Sequence, residues 1–139
     1  MTDAVPPRNN AMAVAASALK AQQSRMRVIA ENIANAQSTA NVAGGQPYRR
    51  QIPVFQAREV DGATGVTLAE VRPDQGDFKM DYDPSHPAAN AQGYVMRPNV
   101  DTLVEAMDMR EAQRAYEANL NVIETARSMD SRTLDILKR

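Results

Sequence analysis

Residues 99–137 contain no proline and no glycine, and that one stretch limits what the chain can become. Pro98 stands directly before it, where a helix can begin and from which it cannot be extended backwards. Asn99, Asp101 and Thr102 are each candidates for the N-cap, and Thr102 with Glu105 has the spacing of a capping box. Met109, Ala112, Tyr116, Asn119, Ile123, Ala126, Asp130, Thr133 and Leu137 step by three and four, the heptad rhythm of a coiled-coil seam. Leu103, Val104, Met107, Leu120, Val122, Met129, Leu134 and Ile136 widen that seam into a broad band. Charges such as Glu111–Arg114–Glu117 also recur at helical spacing. At about 0.2–0.5 kcal/mol per pair they support a helix and say nothing of function. The magnitude that matters is length. At 1.5 Å per residue the helix is roughly 55 Å long, whereas a compact globule of this chain length has a radius of gyration of only about 14 Å. A helix this long needs a second long helix, neighbouring molecules, or both.

The N-terminal part offers such a partner. Residues 1–9, with Pro6-Pro7, read as a disordered leader. Residues 10–37 then repeat the same rhythm through Met12, Ala16, Leu19, Gln23, Met26, Ala30 and Ile33, with Ala15, Gln22 and Ile29 beside them. Up to Ala36 four bases stand against two acids, for +2; from Asp101 onward eight acids stand against six bases, for −2. The two ends are mildly complementary, and a parallel or antiparallel pair between them buries both stripes.

Between them the period changes. Residues 51–60 and 66–72 read as strands joined around Asp61-Gly62 and Gly65, a hairpin signal in which Pro53 restricts the first strand to an edge. Phe78, Met80 and Tyr82 alternate with Lys79 and Asp81, as in a half-buried strand. Asp83-Pro84-Ser85-His86-Pro87 is a rigid bend, and residues 37–46, ending in Gly44-Gly45, are a loop. The expected fold is therefore mainly α: two long terminal helices paired as a coiled coil, with a small β-rich insert. The expected segments are a leader at 1–9, helices within 10–39 and 99–139, and the insert at 40–98.

Little points to chemistry. Aromatic residues are only 4% of the chain and there is no Trp, so the core is thin and contacts between molecules are expected to stabilise it. A net charge of −1 does not suggest a nucleic-acid partner. The lack of cysteine removes disulfides, thiol chemistry and zinc–thiolate sites. No apolar run reaches the ~18 residues of a membrane span, and no basic region followed by an apolar core marks a cleavable secretory signal. His86, the single histidine, lies near Asp81, Asp83 and Ser85, but no Gly-x-Ser-x-Gly elbow or His-Glu-x-x-His spacing accompanies it. A proline-bracketed surface turn is the simpler reading. Tyr48-Arg49-Arg50 is either a small basic–aromatic contact patch or a solvated strand start. No enzyme, cofactor or metal is expected.

Several motifs in order carry a resemblance. Ile29-Ala30-Glu31-Asn32-Ile33-Ala34-Asn35 closes the first helix; Thr39, Gly44-Gly45 and Pro47-Tyr48-Arg49-Arg50 follow. Then come Tyr82-Asp83-Pro84-Ser85-His86-Pro87, Gly93-Tyr94-Val95, Pro98-Asn99-Val100 and Arg114-Ala115-Tyr116-Glu117-Ala118-Asn119. This set resembles the flagellar rod and hook axial proteins of bacteria, over nearly the whole chain after Asn9. The resemblance implies a structural subunit of the basal-body rod, spanning the periplasm and transmitting motor torque to hook and filament. It implies an inner coiled-coil domain made by both terminal helices, with the β-rich segment outside. The implied partners are other rod proteins and further copies in a helical assembly, the rod-cap peptidoglycan hydrolase, and the flagellar type III export apparatus, which needs no cleaved signal. On this reading Leu19, Met26, Ile29, Asn32, Ile33, Asn35, Met109, Tyr116, Asn119, Ile123, Ala126, Met129 and Leu137 form the coiled-coil and assembly interface. The alternative is a cytoplasmic helical adaptor that uses the C-terminal helix as a docking surface.

Overall fold

A computed structural model describes residues 7–138, with side chains from residue 10. Six elements follow one another: α1 (Pro7–Ala34), β1 (Gln51–Val60), β2 (Ala63–Pro73), β3 (Lys79–Tyr82), β4 (Tyr94–Arg97) and α2 (Thr102–Leu137). β1 pairs with β2 and β3 with β4, each pair a separate two-stranded sheet. Two long terminal helices thus flank a small β insert, as the periodicity predicts. Residues 1–6 of the expected leader lie outside the described residues, while α1 already begins at Pro7. The chain forms two compact units, and each long element contributes a segment to both.

The first unit combines α1 up to Arg25, the hairpin segment Val54–Glu70 and α2 from Glu111. Asp61 (φ 48°) and Gly62 (φ 80°) are both left-handed at the hairpin tip, the backbone of a two-residue turn whose twist matches its strands. Pro53 is tolerated because both strands of a two-stranded sheet are edges. The hairpin docks on α1 at Ser17. The Val66 amide donates to Ser17 Oγ (3.2 Å), which itself donates to Val14 O (2.7 Å). Gly65 permits this approach, because a Cβ there meets Ser17 Oγ at 2.6 Å and Val60 Cγ2 at 2.8 Å. Gly65→Val is therefore expected to lower stability by about 1–3 kcal/mol, the usual cost of overpacking, read as a shift in a urea unfolding curve.

The core is built from small residues. Ala15, Ala21 and Ala112 are buried in this unit, allowing close approach while burying little area each. The α2 residues with intermediate exposure in this unit are Ala115, Tyr116, Asn119, Ile123, Ala126, Asp130 and Thr133, all but Ala115 being positions of the expected heptad stripe. Two polar seam residues answer to their own helix: Asn119 Nδ2 donates to Ala115 O and Thr133 Oγ1 to Met129 O, both 2.9 Å. Leu137, the expected last seam position, is exposed. On α1 the buried stripe differs from the expected one. Ala15, Ala21, Val28, Ile29 and Asn32 are buried, of which Ala15 and Ile29 were expected beside the stripe, whereas Ala16, Gln23, Ala30 and Ile33 of the stripe itself are exposed. The expected stripe tracked the larger apolar side chains. The chain's own packing instead uses an alanine face displaced around the helix.

The second unit holds Met26–Pro53 and Val71–Arg110. β3 and β4 are antiparallel, with Lys79 opposite Arg97, Met80 opposite Met96, Asp81 opposite Val95 and Tyr82 opposite Tyr94. Val95 is fully buried, so its face of the sheet points inward. Met80 and Tyr82 occupy the other face and are exposed, Tyr82 by 65%. Their alternation is real, but its apolar face is turned outward, which corrects the half-buried expectation. The Tyr82 and Tyr94 rings meet edge to face, with centroids 5.2 Å apart.

α2 starts at Thr102, and Asp101 is its cap. Asp101 Oδ1 accepts from the amides of Leu103 (3.0 Å) and Val104 (3.4 Å). Glu105 forms no capping box and turns inward instead. At the other end of α1, Asn35 Nδ2 donates back to Glu31 O (2.9 Å), and residues 35–37 form a turn.

Candidate assembly site

The best-organised polar cluster lies in the second unit, around two side chains that are each 1% exposed: Asn32 on α1 and Glu105 on α2. Asn32 is fully engaged. Its Nδ2 donates to Gln51 O (2.9 Å) and to Glu105 Oε2 (3.5 Å). Its Oδ1 accepts from the Gln51 amide (2.9 Å) and from the Tyr48 hydroxyl (2.7 Å). Burying an amide is tolerable because every polar atom is paired. One side chain thereby bonds the end of α1 to the start of β1 and the first turn of α2.

Glu105 is held by Arg50, whose Nε donates to Glu105 Oε1. The same guanidinium reaches Asp74 Oδ2 at 3.2 Å and Asp108 Oδ2 at 4.0 Å. Asn99 completes the cluster: its Oδ1 accepts from the Arg50 amide (2.8 Å), and its Nδ2 donates to Asp74 O and Gly76 O, both 3.1 Å. Arg49 bonds the same two carbonyls and lies over the Phe78 ring, 4.2 Å from its centroid. The Tyr48-Arg49-Arg50 segment is therefore neither a free contact patch nor a solvated strand start. It is the internal staple of the unit.

Electrostatics follow the bonding. Burial disfavours the charge on Arg50, but bonds and charges from Glu105 and Asp74 outweigh it and raise its pKa. Burial, with the nearby charges of Glu31 and Glu105, raises that of Tyr48. Asp74 is held below its ordinary carboxylate value, first by the Gly76 amide bond; burial opposes it next, and the bond and charge of Arg50 with the charge of Arg49 add to the lowering. A carboxylate with a depressed folded pKa stabilises the fold above its unfolded value and loses that contribution on acidification. Stability is therefore expected to fall as pH drops below about 4. Asp74→Asn should flatten that part of a thermal-unfolding pH profile.

His86 is a turn residue. Its Nδ1 accepts from the Ala88 amide (3.0 Å), its amide donates to Asp83 O (3.1 Å), and Ser85 Oγ donates to Asp83 Oδ1 (3.0 Å). Gly93 (φ 85°) closes the loop, because a Cβ there lies 3.0 Å from Tyr82 Cε2 and 3.2 Å from Pro84 Cβ. Among the described residues no group of His, Asp and Glu side chains is arranged to hold a metal ion. No helix there is long and apolar enough to cross a membrane. His86→Ala is expected to cost about 1 kcal/mol, one neutral hydrogen bond, and to leave swimming in soft agar near normal.

Comparison with known proteins identifies the family. Residues 12–42 match the family described as flagella basal body rod protein. Residues 91–136 match the C-terminal family of the flagellar basal body rod FlgEFG proteins. The flagellar basal-body rod protein FlgC of Agrobacterium fabrum is 45% identical over 135 residues, covering 95% of this chain and 96% of the relative. The chain belongs to the FlgC family of flagellar basal-body rod proteins. FlgC of Escherichia coli O6:H1 is 43% identical, with 91% and 96% covered. FlgC of Bacillus subtilis is 37% identical, with 90% and 95% covered.

In this rod-family chain the expected interface residues divide by environment. Ile29 and Asn32 are buried, and Leu19, Met26, Asn35, Met109, Tyr116, Asn119, Ile123 and Ala126 are half-buried. Ile33, Met129 and Leu137 are exposed, Met129 by 51%. The cluster brings Asn32 together with Arg50, Asp74, Asn99 and Glu105, four residues absent from that expected set. The available signal was a string of charged and amide residues beside prolines and turns, each of which has an ordinary local reading.

Proposed function

We propose that the chain polymerises with other axial proteins into the proximal rod, its two helices pairing as a coiled coil, to carry motor torque to hook and filament. As a FlgC family member it is a structural subunit of the flagellar basal-body rod. Family membership over nearly the full chain is the observation that carries the reading. The domain division follows from it: residues 10–39 and 99–139 form the axial domain and residues 40–98 an outer segment that sets subunit identity. Assembly covers the apolar residues that α2 leaves exposed, including Leu103, Met107, Leu134 and Ile136. Fully burying such a side chain contributes about 1.5–3 kcal/mol, so covering several offsets a large share of the entropy lost on ordering. The rod-cap hydrolase and the export apparatus are partners during assembly. Ile123, half-buried on the α2 seam, joins the interface. The test is fractionation of motile cells. Recovery of the chain in purified basal bodies, with loss of incorporation on Ile123→Asp, supports the rod subunit. Recovery only in a soluble cytoplasmic complex favours an adaptor.

A further inference from the structure

The outward face of the β3–β4 sheet is apolar and aromatic. Its register sets Met80 opposite Met96 and Tyr82 opposite Tyr94. Met80, Tyr82 and Tyr94 are exposed, and Met96 is half-buried. The Tyr82 ring is nevertheless fixed. It meets Tyr94 edge to face, and it crosses close to Gly93, where a Cβ would stand 3.0 Å from Tyr82 Cε2. Neither tyrosine hydroxyl is bonded to another described residue, so both can donate outward. Rings held in place beforehand lose little freedom when something binds them. Such aromatic faces suit proline-rich segments in the polyproline II form, whose carbonyls make no internal hydrogen bonds.

The sequence holds one segment of this kind. Pro6-Pro7 is the only adjacent pair among its eight prolines. Val5 and Pro6 each stand before a proline, which biases them to the extended polyproline conformation. Pro6 is also the one proline outside the described residues. We infer that Val5-Pro6 of one copy docks on Tyr82 and Tyr94 of a second copy, an inference that rests on the rod-subunit reading. Within one chain the segment is out of range. The sheet adjoins the end of α1, where Arg97 Nη1 donates to Gln37 O (3.4 Å). Tyr94 lies three residues from Arg97 along β4, about 10 Å. Between Pro7 and Ala34, α1 rises about 40 Å, whereas Val5 reaches at most about 7 Å from Pro7. Two copies of the tyrosine face packed on each other would close a two-fold dimer. A segment of one copy on the face of the next is a heterologous contact, which propagates into rings or open helical arrays.

The chain has no native cysteine, so engineered ones report cleanly. Val5→Cys in one tagged copy is co-expressed with Met80→Cys in a differently tagged copy, which keeps both tyrosines. Ala4→Cys with Met96→Cys is the second pair. Basal bodies are purified and treated with a mild oxidant. A disulfide requires Cα atoms within about 7 Å, so a mixed-tag covalent dimer is expected for at least one pair. Adding Tyr82→Ser or Pro6→Ala is expected to abolish that dimer while the chain stays in the rods. No mixed-tag dimer although both copies are in the rods, links between two Met80→Cys copies alone, or a dimer unaffected by Tyr82→Ser overturns the assignment. Absence of the unmodified chain from basal bodies overturns the rod reading itself.

Discussion

Replacing Arg50 by methionine is expected to destabilise the free protein by about 3–5 kcal/mol, the usual consequence of leaving a buried charge without its partner. Glu105 is 1% exposed, and its other side-chain bond is a 3.5 Å contact from Asn32. Circular dichroism during urea denaturation measures the effect, with Arg50→Lys intermediate because it keeps a charge and loses the forked geometry. A double change, Arg50→Met with Glu105→Leu, should recover much of the deficit, since an apolar pair of similar volume avoids the stranded carboxylate. If the double variant is as unstable as the sum of the singles, the cost lies in packing and the charge argument fails.

Asn32→Asp should be nearly as damaging, although the two side chains have almost the same shape. The amide nitrogen that donates to Gln51 O and Glu105 becomes an acceptor facing two acceptors. A second carboxylate then sits about as close to Glu105 as the amide does, at 3.5 Å. Like charges at that separation cannot both remain ionised without cost, so one of them takes up a proton above the ordinary carboxylate range. That fixes the sign of the pH dependence. The variant's deficit relative to the parent is largest near neutrality and shrinks as pH falls through the raised value. Loss of a hydrogen bond alone predicts a deficit that does not change with pH, so thermal unfolding of both proteins from neutral to acidic pH separates the two accounts.

Local rules recovered much of the architecture. The run without proline or glycine at 99–137 became α2, offset by the Asp101 cap. The strands expected at 51–60 and 66–72 became the β1–β2 hairpin, with β2 starting three residues earlier, directly after the Asp61-Gly62 turn. The α2 seam was legible because its reduced exposure follows the heptad set from Met109 to Thr133. Two things escaped for physical reasons. On α1, alanine contributes little hydrophobic contrast, so the outer stripe with its larger residues outweighed the inner face of Ala21, Val28 and Asn32 in the periodicity. In the second unit, the cluster joins residues separated by up to 73 positions, and each member mimics a local device. Glu105 resembles half a capping box, Asn99 a cap, and Arg50 a surface charge. Only the three-dimensional path of the chain shows that they converge.

The bonding of Asn32 has a mechanical side. Apolar contacts are non-directional and tolerate sliding, whereas hydrogen bonds weaken steeply once donor and acceptor fall out of line. In the second unit the end of α1, the start of β1 and the first turn of α2 are joined at one amide by four such bonds. Rotating α1 or the segment that enters β1 about its axis strains several of them together. A subunit loaded in torsion is stiffest where its joints are directional. On the proposed torque-carrying role, that joint lies at Asn32 within the Asn-Ile-Ala-Asn signature, which is then expected to add torsional stiffness to packing.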